Sequence, residues 1–257
     1  MSTGRLIGTA AIVTGGGSGI GRAICQKFAK EGASVAILDI NSESITRTLN
    51  ELPSNRANKH CAIKIDVSSS EQVKNSLMLA EEKLGMRSTI LVNSAGIAKL
   101  KAFSKVDDAT FDNILNVNLR GTFLMTKEFL KMTSKYTSSG NDILGSVINI
   151  SSIAGKMGSA GQGPYCASKF GVIGLTKTVA VEFPKHKVRC NAVLPGMTDT
   201  PILDGVPKYV QEAHLKQIPM QRFGHPDEVA NVCLFLASDE SSYVNGACLE
   251  VSGGYGC

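Results

Sequence analysis

The feature that most constrains the fold is a rhythm. Short apolar runs alternate with longer amphipathic stretches along most of the 257 residues. Ala10-Ala11-Ile12-Val13 has the composition of a buried strand. Gly19 to Glu31 follows with apolar residues at Ile20, Ala23, Ile24 and Phe28, the spacing of one helix face. The pairing then recurs. Strands are expected over 34–40, 61–65, 89–92, 145–150, 188–193 and 247–251, and helices from Asn41 onward and over 70–83, 111–135, 164–183 and 227–236. Strands that alternate with helices form a parallel sheet, and near-continuous apolar strands are covered on both faces. The expectation is one α/β domain over residues 1–257, a doubly wound parallel sheet with helices on both faces. The segment Met197 to Arg222, broken by Pro201, Pro207 and Pro219, reads as irregular. It follows the sixth strand, where it would cover the crevice at the carboxyl ends of the strands.

Composition removes several function classes. A chain of this length buries on the order of 70–75% of its unfolded surface, and its charges form no block of one sign. Intrinsic disorder is thereby excluded as the main state. The longest uncharged stretch, Leu6 to Gly21, is Gly-rich and shorter than the ~20 apolar residues of a membrane span. The net charge of +5 is spread over scattered lysines and arginines with no tryptophan, which argues against a nucleic-acid partner. Seven cysteines, odd in number and without a C-x-x-C pair, read as free thiols in a reducing compartment. No metal site is assigned. Met1 to Thr9 lacks the apolar core of a secretory signal.

Three constellations carry chemistry. Thr14-Gly15-Gly16-Gly17-Ser18-Gly19-Ile20-Gly21 lies between the first strand and first helix. Glycines there let a pyrophosphate approach the backbone, and the helix N-terminus supplies unpaired N–H groups. Asp39 ends the second strand, followed by Ile40. A carboxylate at this place accepts the ribose hydroxyls of an adenosine and repels a 2′-phosphate, which favours NAD over NADP. Tyr165 and Lys169 stand four residues apart on one helix face, with Ser151-Ser152 upstream at a strand end. An ammonium beside a phenol is expected to lower its pKa toward neutrality, and a serine hydroxyl can hold a substrate carbonyl.

These motifs, in this order, resemble the short-chain dehydrogenase/reductase family over essentially the whole chain, and the resemblance implies a Rossmann-type sheet. Asp66-Val67 resembles the pair that contacts adenine. Asn93-Ser94-Ala95-Gly96 is similar to the N-N-A-G motif, with Ser94 in place of its second Asn. Asn118 matches the catalytic Asn, and Pro195-Gly196 with Thr198 and Thr200 the segment that closes over nicotinamide. Arg222 to Glu228 and Gly253-Gly254 match the C-terminal region, where Ser252 stands in place of a common Asp. Within the family, 148–158, 171–176, 189–191, 193–196 and a longer Tyr136 to Leu144 loop resemble the branch of 17β-hydroxysteroid dehydrogenase type 8 and mitochondrial 3-oxoacyl-acyl-carrier-protein reductase.

The resemblance implies an NAD(H)-dependent oxidoreductase with Asn118, Ser152, Tyr165 and Lys169 as its catalytic set. The cofactor would contact Gly15, Gly17, Ser18, Gly19, Ile20, Gly21, Asp39, Ile40, Asp66, Val67, Asn93, Ala95, Gly96, Tyr165, Lys169, Pro195, Gly196, Thr198 and Thr200. Tyr165 exchanges the substrate proton, Lys169 also holds the nicotinamide ribose, and Asn118 supports a water relay. Ser152, Ile153, Met157, Gln162, Tyr165 and Met197 are the expected substrate contacts. Two substrates stay open, a 17β-hydroxysteroid and a 3-hydroxyacyl/3-oxoacyl thioester; a structural subunit of a mixed reductase tetramer and a generic carbonyl reductase are the alternatives.

Acyl carrier protein remains a possible partner, although Val181 holds the place where carrier-docking relatives often have an Arg. The resemblance implies the mitochondrial matrix, with the cytoplasm as the alternative. It also implies a tetramer built through the helices around 122–135 and 164–183 and through the Gly253-Gly254 tail, homomeric or mixed with a related chain. Cys166 reads as a small helix residue, His214 and His225 as surface residues. His186 with Lys185, Lys187 and Arg189 reads as a solvated turn, or alternatively as a patch for an acidic partner.

Overall fold

The computed structural model describes residues 4–53, 58–138, 145–184 and 187–256. Seven parallel strands form the sheet: β1 (Ala10–Thr14), β2 (Ser34–Asp39), β3 (His60–Lys64), β4 (Ile90–Asn93), β5 (Gly145–Ile150), β6 (Val188–Pro195) and β7 (Cys248–Val251). Their order across the sheet is β3-β2-β1-β4-β5-β6-β7. The chain therefore reverses direction of travel beside β1, which pairs with β2 on one side and β4 on the other. A crevice opens beyond the strand ends at such a switch.

Side chains alternate across the sheet, so each strand feeds two cores. Ala11, Val13, Val35 and Ile37 pack with Phe28 of α1 (Gly19–Lys30) and Leu234 of α8 (Pro226–Ala237). Ile12, Ala36 and Leu38 pack on the other face with Leu77 of α3 (Ser70–Leu84) and Phe129 of α5 (Gly121–Ser138). The side chains of β1 and β2 up to Leu38 are almost wholly buried, which explains why these strands read as unbroken apolar runs. Asn41 caps α2 (Ser42–Glu51) by accepting the Ser44 N–H at 3.0 Å, as its position before the helix suggests.

Two expectations need correction. The helical stretch expected over 111–135 starts earlier and is interrupted. α4 (Asp108–Leu115) begins behind an Asp107 cap, and a wide π-helical turn, Asn116–Arg120, separates it from α5. Periodicity is blind to one extra residue in a turn, because the apolar face recovers on the far side. The stretch 197–222 is also less irregular than its prolines suggest. It holds a 3₁₀ turn, Pro201–Gly205, and then α7 (Lys208–Leu215), with Pro207 just before the helix where no N–H is required. α5 itself runs through Ser138, into the expected 136–144 loop; 139–144 and the 185–186 turn with His186 lie outside the described residues.

Candidate active site

A cleft of about 540 Å³ lies at the carboxyl ends of the strands, within the usual size of a cofactor and substrate site. Its first wall is the turn from β1 into α1. Gly15 and Gly19 hold φ of 66° and 49°, a region that favours glycine. A side chain at Gly21 would reach 2.1 Å from the Gly15 carbonyl oxygen, so the turn closes only around glycine. Ser18 is extended and leads into α1, leaving the first helical N–H groups facing the cleft.

Asp39 ends β2 beside this turn. One carboxylate oxygen accepts the Gly17 N–H and the other the Asn41 N–H, both at 3.1 Å. The carboxylate is thus fixed in place at the cleft edge, next to Ile40. Arg22 also stands near, but its guanidinium donates to the Gly17 carbonyl at 2.5 Å and to Thr48 Oγ1 at 3.1 Å. Asp66, Val67, Ala95 and Gly96 complete this end of the cleft, with Asp66 Oδ1 held by the N–H and hydroxyl of Ser68. The cradle has the shape and donors that an adenosine diphosphate group requires.

Thr14 is a residue that sequence reasoning passed over as the start of the glycine run. It is buried, and its hydroxyl accepts the N–H groups of Ser94 and Ala95 at 3.1 and 3.2 Å. It ties the β4 loop to the β1 turn. The Ser94 backbone makes this bond, which accounts for the tolerance of a serine there. Asn93 and Gly17 do not line the cleft. Asn93 Nδ2 donates inward to Thr126 and Asn149, at 2.9 and 2.8 Å, and so braces the floor; Gly17 acts from behind through its bond to Asp39.

The catalytic end is built by β5 and α6 (Gly163–Glu182). Ser152 sits just past β5, accepts the Ala154 N–H at 3.1 Å, and faces Tyr165 across the cleft end that β5 and α6 build. Gly155 lets α6 approach: a Cβ there would lie 2.8 Å from the Lys169 carbonyl oxygen. Lys169 is buried, donates to the Ile150 carbonyl at 2.8 Å, and holds its ammonium 5.6 Å from the Tyr165 ring centre.

The expectation that Lys169 lowers the Tyr165 pKa is not met in this geometry. Burial pushes the phenol up, and the Ser152 hydroxyl opposes that only in part. Burial also pushes the Lys169 ammonium down to about 8. Both charged forms are disfavoured by the same dry surroundings.

Asn118 lies at the centre of the π turn and is fully buried. Its amide bridges the Ile97 N–H and carbonyl at 2.8 and 2.9 Å and donates to Ser168 at 3.1 Å. It does not face the cleft. It ties Ile97, just past Gly96, to Ser168 of α6, next to Lys169. The extra residue of the π turn is what aims it there.

Pro195, Gly196, Met197, Thr198 and Thr200 form the roof over the crevice. Gly196 is required because a side chain would meet the Ser252 backbone at 2.9 Å. Ile153, Met157 and Gln162 line the cleft beyond Ser152. His214, expected on the surface, faces the cleft from α7, together with Leu203, Val210 and Tyr255. An amphipathic reading of 208–215 would have found the helix, though not the side it presents. His225 is exposed and caps α8.

Residues 15–256 match the family profile described as enoyl-(acyl carrier protein) reductase. The chain is 40% identical over 256 residues to human (3R)-3-hydroxyacyl-CoA dehydrogenase, covering 97% of this chain and 96% of that protein. The chain belongs to the short-chain dehydrogenase/reductase family. A 3-oxoacyl-[acyl-carrier-protein] reductase of Thermotoga maritima is also 40% identical, with 97% and 98% covered. Among solved structures, a Brucella melitensis 3-ketoacyl-(acyl-carrier-protein) reductase complexed with NADH superposes with a TM-score of 0.89 at 32% identity, covering 98% of this chain and all of that one. This short-chain dehydrogenase/reductase is an oxidoreductase acting on CH–OH groups.

Proposed function

We propose that the protein uses NAD(H) to interconvert 3-hydroxyacyl and 3-oxoacyl thioesters. The observation that carries the reading is one continuous cleft with the Asp39 carboxylate at one end, the Ser152–Tyr165–Lys169 group at the other, and an apolar chamber of Ile153, Met157, Met197, Leu203 and Val210 beyond it. Support for the thioester comes from the dehydrogenase and reductase relatives, whose names specify hydroxyacyl-CoA and oxoacyl carriers. Support for NAD(H) comes from Asp39 and from the NADH-bound neighbour.

The nicotinamide supplies the hydride acceptor in oxidation and the donor in reduction. The protein does the rest. The glycine turn and Asp39 hold the nucleotide, and the roof from Pro195 to Thr200 covers the nicotinamide end. The Ser152 hydroxyl, whose oxygen already accepts the Ala154 N–H, has its one proton free to donate to the substrate oxygen beside Tyr165. In oxidation Tyr165 Oη takes the substrate hydroxyl proton; in reduction it returns one to the new alkoxide oxygen. Lys169 keeps a positive charge near the phenolate as it forms. Asn118 positions Ile97 and α6 around this group and, by the family resemblance, supports the proton's path to solvent.

The test is a substrate panel of oxoacyl-CoA, oxoacyl carrier protein and 17-ketosteroid, each with NADH and NADPH. Turnover of oxoacyl thioesters with NADH is the expected result, and steroid turnover alone would replace the reading. Tyr165→Phe should lower kcat by ~10²-fold or more while leaving NADH affinity intact, the scale of a lost general acid/base.

A further inference from the structure

His214 and Tyr255 make a polar contact at the end of the cleft lined by Ile153, Met157, Leu203 and Val210. His214 Nδ1 lies 3.1 Å from Tyr255 Oη, and the rings meet edge to face at 85° with centres 5.7 Å apart. The two residues come from different parts of the chain. His214 is on α7, the helix that covers the substrate end, and Tyr255 is on the tail segment after β7.

The tail is anchored firmly. Tyr255 is 8% exposed and packs with Ile153, the residue after Ser152, and with Ile218, Met157 and Met197. Lys156 Nζ donates to Glu250 at 2.8 Å and to the Gly256 carbonyl at 3.4 Å. The tail backbone runs so close to the chamber wall that a side chain at Gly256 would stand 2.8 Å from Met157 Sδ. α7 is the opposite case. None of its residues is fully buried. Its other side-chain hydrogen bonds, from Gln211 to the Leu203 and Val206 carbonyls, stay within the covering segment itself.

We infer that the His214–Tyr255 hydrogen bond is a latch that fastens α7 to the tail and so seats the apolar part of the substrate. Both are positioning residues that set substrate affinity and leave hydride transfer alone. A single hydrogen bond of ordinary strength shifts an open–closed equilibrium by roughly 2- to 10-fold, and substrate KM should move by that amount. The latch reasoning needs only the cleft; the choice of oxoacyl thioesters as its probe rests on the function proposed above.

Four variants test it: Tyr255→Phe, which keeps the packed ring, His214→Leu, the double variant, and His214→Asn, whose amide keeps a polar atom near the place of Nδ1. Tyr255→Phe and His214→Leu should each raise KM for an oxoacyl-CoA by about 2- to 10-fold, with kcat and NADH affinity little changed. The double variant should be no worse than either, and His214→Asn should recover most of the loss. Backbone amides of 208–215 should exchange with deuterium several-fold faster in the two single variants, with NADH bound and no substrate present. Unchanged exchange and KM, additive effects in the double variant, or an equal fall in kcat would each overturn the latch. A wild-type protein inert toward oxoacyl thioesters would instead refute the substrate reading, and the exchange measurement would still decide the latch.

Discussion

Two side chains set the chemistry of the cleft by the company they keep. Asp39 is pinned by two N–H groups, so it cannot swing away from a 2′-phosphate, and the nearby Arg22 is engaged by Gly17 and Thr48. NAD(H) should therefore bind at least ~10-fold more tightly than NADP(H), and Asp39→Ala should narrow that gap; cofactor titration of both proteins measures it. Lys169 loses its proton near 8 in the folded protein against 10.5 for the free side chain. Between those values the unfolded chain binds the proton and the folded one does not, so stability from this group rises with pH across the window and is flat below it. The wild type should gain about 3 kcal/mol relative to Lys169→Met between pH 8 and 10.5, read from denaturant unfolding of the cofactor-free proteins at a series of pH values.

At the scale of elements, three turns place the site: β1 into α1, the π turn between α4 and α5, and the short link from β5 to α6. The first was legible in its glycines, since a Cβ at Gly15 or Gly21 would meet backbone within 3 Å, but not in the tie that Thr14 makes to Ser94 and Ala95. Gly21→Ala should prove the tightest of its constraints, because the added methyl meets the Gly15 carbonyl and the backbone has no room to retreat. A loss of 1–3 kcal/mol in stability is expected from such overpacking, with NADH affinity reduced at least as severely; calorimetry and cofactor titration check the two halves. The π turn was not legible. Asn118 was identified by motif, but its inward aim and its role as a brace depend on one residue of extra winding, which leaves no trace in apolar spacing.

At the scale of the whole molecule, α5 and α6 keep large apolar side chains on their outer faces. On α6, Val172, Thr176 and Ala180 are buried within this chain. Left outside are Phe170, 48% exposed, with Val181, and Phe123 on α5 at 45%. Large exposed aromatics on adjacent helices favour an isologous contact. With a second contact through the tail side, the protein should scatter light as a tetramer of about four times 27.2 kDa. A mass that stays at that of one chain at all concentrations would show that these faces are solvated. Phe123→Glu together with Phe170→Glu should release smaller species while leaving Asp39 and Tyr165 in place.

The sequence by itself determined the architecture, the glycine-rich turn at the cleft and the family. These depend on local rules: strand and helix periods, glycine geometry, and motifs read in order along the chain. Only the tertiary structure decided that Asn93 and Asn118 brace the cleft from behind and that Thr14 joins two loops. It also brought His214 to Tyr255 across 41 residues of chain. It showed, too, that the Tyr165 phenol is pushed up by burial rather than drawn down by its lysine. Each of these depends on which groups share a dry interior, and that is settled by packing between distant segments, which no local pattern records.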